Sequence, residues 1–172
     1  MFFWRLATAS SMEKRRAVHA FGASKARFQS PSMNETELLH AEDFNRGIDL
    51  FNRALFFDAH EVLEDFWRPL PTKKPLRRHV QGLIQLAVAF HHHSTGNYVG
   101  ALSVLDRATR NLHGAENSFP DLDLVSLRVQ LIPWRQFLTD HGGAGRHKSH
   151  GSKIEPRKRP ALPKIIRRRA NG

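Results

Sequence analysis

The chain of 172 residues contains no cysteine and no long apolar run, and each absence excludes a class of protein. Without cysteine there can be no disulfide scaffold and no thiolate-bound metal, and such a composition is typical of a reducing compartment. No apolar segment approaches the roughly 20 residues that a membrane-spanning helix needs. We therefore expect a soluble, cytoplasmic protein without a membrane partner, since a chain of this length can bury a core of its own.

Acidic residues are almost absent from the C-terminal end. Residues 141–172 carry ten Lys/Arg against one acidic residue, whereas residues 43–140 carry eleven of each, and residues 1–42 carry six against four. The formal net charge of +11 therefore belongs mainly to the C-terminal end, which we interpret as a basic, disordered tail. The alternative is a nucleic-acid-associated protein whose tail makes weak, salt-sensitive contacts with phosphates.

The first 33 residues show no sustained hydrophobic period, and three interpretations compete for them. Residues 1–33 are basic and rich in serine and alanine, as a disordered arm would be. An organellar transit peptide has the same composition. The third interpretation is an over-called start, because Met33 directly precedes the patterned region.

Residues 34–140 carry the helical periodicity of the chain. One stripe of apolar residues repeats at the spacing of an amphipathic helix over 35–54: Phe44, Ile48, Phe51 and Leu55. Gly47 lies inside this stripe, where it costs helix stability, and it predicts a close approach of a second helix. A capping pattern at Asp58 and three later periodic segments predict four more helices, over 58–68, 76–93, 98–113 and 124–138. The fold class is therefore all-α, a compact bundle of about five helices with disordered N- and C-terminal tails.

A short motif in the second helix carries the strongest chemical signal. His60-Glu61-x-x-Glu64 differs by one residue type from the zinc-peptidase signature, in which two histidines four residues apart hold the metal and the glutamate is the base. His60 and Glu64 share a helix face, and His91 or His92 of the third helix would supply another ligand. This hypothesis predicts a divalent metal and a metal-dependent hydrolase with Glu61 as base.

A polar network without catalysis is the favoured alternative. The third helix is apolar nearly all round except for a row formed by Gln81, Gln85 and His92. Buried polar groups need partners, and His60 and Glu64 of the second helix are the candidates. The candidate pocket between the two helices consists of His60, Glu61, Glu64, Trp67, Arg78, Gln81, Gln85, His91 and His92.

The spacing of several motifs resembles a known family. The motifs are G-x-x-L-F-N-x-x-x-F-x-x-A-H-E-x-x-E-x-x-W (Gly47 to Trp67), R-x-x-Q-G-L-I-Q-x-A-x-A-x-H (Arg78 to His91), G-N-x-x-G-A (Gly96 to Ala101) and L-x-R-A (Leu105 to Ala108). Together they resemble the family called domain of unknown function 309, over about residues 43–138. The resemblance implies a small, all-helical, stand-alone domain that lacks an established activity.

The resemblance also assigns family motif positions, all but Gly82 within the candidate pocket. These positions are His60, Glu61, Glu64, Trp67, Arg78, Gln81, Gly82 and His91. Helical geometry favours His92 and the resemblance favours His91, so both stay open. We predict a ligand-binding or interaction domain without established catalysis, and self-association stays open as well.

Overall fold

The helices of the computed structural model follow one another with short connections. The structure describes residues 35–142 and 158–168, with side chains from residue 41 onward. The five helices are α1 (Glu35–Asn52), α2 (Phe56–Trp67), α3 (Pro75–Ser94), α4 (Tyr98–Asn111) and α5 (Leu124–Gly142). A short 3-10 helix, Ala115–Asn117, precedes α5. The described residues contain no strand, only an isolated bridge between Leu122 and Arg167, and the all-α prediction is confirmed.

Helix α2 begins two residues before the predicted cap. Asp58 lies in the first turn, and the residue that precedes the helix is Leu55, whose side chain caps nothing. The chain turns at Ala54, which has a positive φ of 61°. The Phe56 ring is buried 5.3 Å from the Phe51 ring. Packing of this ring against α1 explains the early helix start, because burying an aromatic side chain outweighs the roughly 1 kcal/mol of a cap.

Two glycines allow neighbouring helices to approach closely. A Cβ atom on Gly47 would lie 2.6 Å from Cγ of Leu63, so the predicted close approach is confirmed and its partner is α2. A Cβ on Gly82 of α3 would lie 2.8 Å from Cγ of Leu112, just after α4. Both distances are far below the 3.5–4.0 Å of ordinary carbon contacts, so the close packing of α1 and α3 against their neighbours requires a residue without a Cβ at these two positions.

The core is centred on α3, whose apolar residues are buried on several sides. Phe90 of α3 packs edge-on against Trp134 of α5, with ring centroids 5.0 Å apart, and Trp134 is fully buried. Helix α5 continues through Pro133. A proline removes one backbone hydrogen bond, and the buried Leu131 and Trp134 on either side of it hold the helix in place.

Part of the basic C-terminal end packs on the helices. Residues 158–168, which we call the C-terminal strap, run in extended conformation, and Ile165 is 3% exposed in the core. The structure therefore differs from the expected disordered tail for this segment. The physical reason is that apolar residues between the cations find a partner surface, which a count of charges does not reveal.

Other expectations fall outside the described part of the chain. The three interpretations of residues 1–33 concern residues that the structure does not describe, as does the tail prediction for 143–157 and 169–172. No helix in the described part of the chain combines the length and apolar character that crossing a membrane requires.

Candidate functional site

The first half of the predicted pocket lies on α2. His60 and Glu64 face each other one turn apart, with 3.4 Å between Nε2 and Oε1, and both side chains are partly exposed. The hydrogen bond from His60 holds the pKa of Glu64 below its usual value, and the charges of His60 and Arg68 act in the same direction. Glu61 lies half-buried beside this pair. The motif therefore forms a local hydrogen-bonded pair within one helix.

Phe57 connects this pair to α3. Its ring centroid lies 6.3 Å from the ring of His60 and 5.7 Å from that of His91. His91 is therefore on the α2 side of α3. His92 faces the other way, with Nδ1 3.3 Å from Nδ2 of Asn97 at the start of α4. Of the two histidines that the sequence leaves open, His91 is the one that lies near α2, as the family resemblance suggests.

The glutamine row is turned mainly toward α4. Oε1 of Gln85 accepts a hydrogen bond of 2.9 Å from Nδ2 of Asn111. Gln81 is half-buried, and no hydrogen-bond partner of its side chain is found among the described residues. Gly82 explains this orientation, because the missing Cβ lets the end of α4 approach α3. The structure thus brings His60, Glu64 and His91 to one side and places Gln85 and His92 on another.

Trp67 and Arg78 have structural partners away from the His60–Glu64 pair. The indole N–H of Trp67 donates to the carbonyl of Arg77 over 2.9 Å, and the Arg77 guanidinium carbon lies 3.8 Å from the centroid of the Trp67 ring. The guanidinium of Arg78 lies 3.0 Å from Nε2 of His79. Trp67 therefore holds the end of α2 to the start of α3, whereas Arg78 contacts its neighbour His79.

The metal hypothesis lacks a ligand set. Among the described side chains, no group of three His, Cys, Asp or Glu residues is placed so that it could hold a metal ion. A catalytic zinc needs three protein ligands and an open position. His60 and Glu64 supply two partly exposed donors, and neither His91 nor His92 completes the set. The residues present in this region do not fit a catalytic metal.

A concave site that the sequence analysis does not predict lies elsewhere in the described part of the chain. An open groove of about 640 Å³ is formed by α1, the end of α2, the start of α3, the loop before α5 and the strap. We call it the phenylalanine groove, because the Phe44 ring lies 5.2 Å from Phe66 and 5.3 Å from Phe119. Its lining residues are Ala41, Phe44, Asn45, Phe66, Pro69, Leu70, Leu76, Ser118, Phe119, Pro120, Asp121, Leu122 and Arg167.

The buried His79 orients the Ser118 hydroxyl group, which lines this groove. His79 is 3% exposed, and its Nδ1 lies 2.6 Å from Oγ of Ser118. Arg78 approaches the other ring nitrogen, and a guanidinium can only donate, so Nε2 is the acceptor and Nδ1 carries the proton. Burial and the Arg78 charge both lower the pKa of His79, which favours this neutral tautomer.

The tautomer determines what Ser118 can do. Because Nδ1 of His79 donates to the Ser118 oxygen, this nitrogen cannot remove the hydroxyl proton, and the pair is not arranged as nucleophile and base. The Ser118 hydroxyl keeps its own hydrogen for another acceptor. Asn45 also lines the groove, and its amide oxygen accepts a hydrogen bond from Arg167 of the strap. The groove therefore combines aromatic walls with hydrogen-bond donors, a combination suited to binding.

Comparison with known proteins supports the resemblance seen in the sequence. Residues 44–104 match the family model of Domain of unknown function (DUF309). The resemblance to this family is confirmed over that segment. It contains all nine residues of the predicted pocket, from His60 to His92, together with Phe44, Phe66 and His79. Ser118 and Arg167 lie beyond the DUF309 match, so the phenylalanine groove combines residues from inside and outside it.

Two curated relatives are similar over part of their length. The uncharacterized protein YpuF of Bacillus subtilis (strain 168) is 39% identical over 69 residues, which are 40% of this chain and 39% of YpuF. An uncharacterized protein of Aquifex aeolicus (strain VF5) is 28% identical over 97 residues, 56% of this chain and 27% of the relative. The matches thus span well under half of either relative. No solved structure matches the chain significantly. The protein is a helical protein of unknown function.

Proposed function

We propose that this protein is a binding domain that holds a small apolar carboxylic acid in the phenylalanine groove. The observation that carries the proposal is the Ser118 hydroxyl, which a buried neutral His79 fixes at a groove with aromatic walls. A volume of about 640 Å³ lies within the range of small-molecule sites. Apolar walls supply affinity, and a few fixed polar groups supply orientation.

The donors in the groove favour a carboxylate head group. Ser118 offers an O–H, and Asn45 offers its amide N–H because its oxygen is engaged by Arg167. Arg167 adds a positive charge at the same wall. Asp121, which also lines the groove, is exposed and can remain solvated at the rim. Hydrogen bonds to a charged group are worth about 1.5–3 kcal/mol, so these donors would discriminate a carboxylate from an alcohol.

Binding of decanoate and of decanol to the full chain tests this function. Calorimetric titration is expected to give saturable binding of decanoate and at least tenfold weaker binding of decanol. Ser118→Ala and Arg167→Gln should each weaken decanoate binding about tenfold, because each removes a donor to the carboxylate. The matched controls are Ser103→Ala and Arg107→Gln, at exposed positions of α4. Absence of saturable decanoate binding, or equal affinity for acid and alcohol, would refute the proposal.

The alternative of nucleic-acid binding through the basic tail has less support. In the strap, Lys164 donates to the carbonyl of Asn52, and Arg167 donates to Asn45. These cations are engaged with the helical body, so they help to dock the strap and are less free for phosphates. For the location of the protein we propose the cytoplasm, which the absence of cysteine supports; cell fractionation tests it.

A further inference from the structure

Most hydrogen bonds between the helical body and the strap involve the main chain of the strap. Nδ2 of Asn52 donates to the carbonyl of Ile165 over 2.9 Å, and the N–H of Ile165 donates to Oδ1 of Asn52 over 2.8 Å. Gln130 of α5 makes the same pair of bonds with Lys164, at 3.1 and 2.8 Å. Each side-chain amide thus uses both its donor and its acceptor on an extended backbone, as a neighbouring strand would.

Three further main-chain contacts extend this recognition. The indole N–H of Trp134 donates to the carbonyl of Ala161 over 2.8 Å. The N–H of Asp123 donates to the carbonyl of Ile166, and the N–H of Arg168 donates to the carbonyl of Asp121, both over 2.8 Å. We call this surface the strap cleft; it consists of Asn52, Gln130, Trp134 and residues 121–123.

The strap's side chains add a short apolar contact, because Pro163 is buried and Leu162 is partly buried against the core. Ile165 is buried, but the adjacent Ile166 is 49% exposed. Lys164 and Arg168 are exposed as well. The cleft therefore binds an extended backbone together with a short apolar segment centred on Ile165, a mode of recognition that resembles the binding of a separate peptide to a sheet edge.

We propose that the strap cleft is a docking site that also accepts residues 161–168 from a second copy of this chain. Residues 161–168 of the chain itself occupy the cleft, so the same segment from a second copy fits it as well. Residues 143–157 connect it to α5, and fifteen residues can reach at most about 50 Å, enough to span to a neighbouring molecule. Every hydrogen bond of the cleft is the same whichever copy supplies the strap, so exchange costs no contacts.

Two complementary full-length variants test the exchange. The acceptor chain carries Ile165→Asp, which removes the anchor of its own strap, and Leu122→Cys in the loop before α5. The donor chain keeps its strap, carries Arg167→Cys, and carries Asn52→Leu to disable its own cleft. Leu122 and Arg167 form the antiparallel bridge and are not hydrogen-bonded to each other. Their Cα atoms are therefore about 4.5 Å apart, within the range that a disulfide spans.

Mixing the two chains in a glutathione buffer should yield a disulfide-linked pair of donor and acceptor. Mass spectrometry identifies the cross-link without ambiguity, because the natural chain has no cysteine. The yield should be at least fivefold higher than with a control acceptor that carries Val99→Cys instead of Leu122→Cys. Val99 is 65% exposed, so its cysteine is accessible but lies outside the strap cleft. Adding Gln130→Leu to the acceptor should lower the yield toward this control.

A single chain with both Leu122→Cys and Arg167→Cys completes the design. If this chain closes its internal disulfide while the mixture stays at the control level, the strap docks only within its own chain and the proposal is overturned. If the internal disulfide also fails, docking itself is refuted. Circular dichroism verifies that each variant is helical, and Ile165→Ser replaces Ile165→Asp if the aspartate unfolds the acceptor.

Discussion

His79 restricts the chemistry of its neighbour. A serine beside a histidine suggests a nucleophile, but Arg78 occupies the far nitrogen of the ring and fixes the proton on the near one. A neutral histidine that donates to Ser118 orients the hydroxyl and does not activate it. In this arrangement His79 cannot act as a general base for Ser118.

Gly47→Ala is expected to destabilise the protein by about 1 kcal/mol. Overpacking against Leu63 costs about 1–3 kcal/mol, and the better helix propensity of alanine returns about 1 kcal/mol. Urea unfolding followed by circular dichroism measures the difference. The double variant Gly47→Ala/Leu63→Ala should lose less stability than the sum of the two single variants, because truncating Leu63 makes room for the methyl group. Strict additivity would show that the two side chains do not meet.

At the scale of elements, Arg77 ties the end of α2 to the start of α3. Its guanidinium donates to the carbonyls of Trp67 and Leu70, over 2.9 and 2.5 Å, and lies over the Trp67 ring. The indole N–H of Trp67 in turn donates to the carbonyl of Arg77. The connection between the two helices is thus closed by one side chain from each of them.

Arg77→Lys should cost about 2 kcal/mol of unfolding free energy. A lysine keeps the charge but cannot reach several carbonyls in a fixed fork or stack flat on the indole. Loss of hydrogen bonds from a charged donor accounts for the magnitude. Thermal and urea unfolding measure it. Arg78→Lys is the matched control, since the exposed Arg78 makes fewer such bonds; an equal effect of the two substitutions would contradict the assigned role.

For the molecule as a whole, one buried histidine and two half-buried histidines make stability depend on pH. Burial lowers the pKa of His79, His92 and His93, and for His93 the charges of Arg159 and His141 act in the same direction. Below pH 6.5, the ordinary pKa of a histidine side chain, the unfolded chain therefore binds more protons than the folded chain. Stability is then expected to fall as the pH drops below 6.5 through the folded-state pKa values.

His93→Phe should reduce this pH dependence. The His93 ring packs edge-on against Trp134, with centroids 4.7 Å apart, and a phenylalanine keeps that contact without titrating. The measurement is the change in unfolding free energy between pH 7 and pH 5, which should be smaller in the variant than in the natural chain. His113→Gln, at an exposed position, controls for the loss of one histidine. A variant with unchanged pH dependence would refute the contribution of His93.

The sequence predicts the helices better than the sites, for physical reasons. Apolar periodicity reports which faces are buried, so five helices and the contact at Gly47 follow from it. It does not report which neighbour a polar residue meets, and the Gln85 side chain bonds to α4 rather than α2. The Ser118 site and the strap lie in segments without a period. Only contacts between distant residues create them.

The contact between Asn52 and Ile165 joins residues 113 positions apart, and this separation has a consequence for biosynthesis. The ribosome makes a chain from its N-terminus, and helices α1 to α5 precede the strap along the chain. The strap is therefore the last of these segments to leave the ribosome and to become available for docking. The contacts of Asn52 and Gln130 with the strap can therefore form only once residues 158–168 have been synthesised, as a late step of folding.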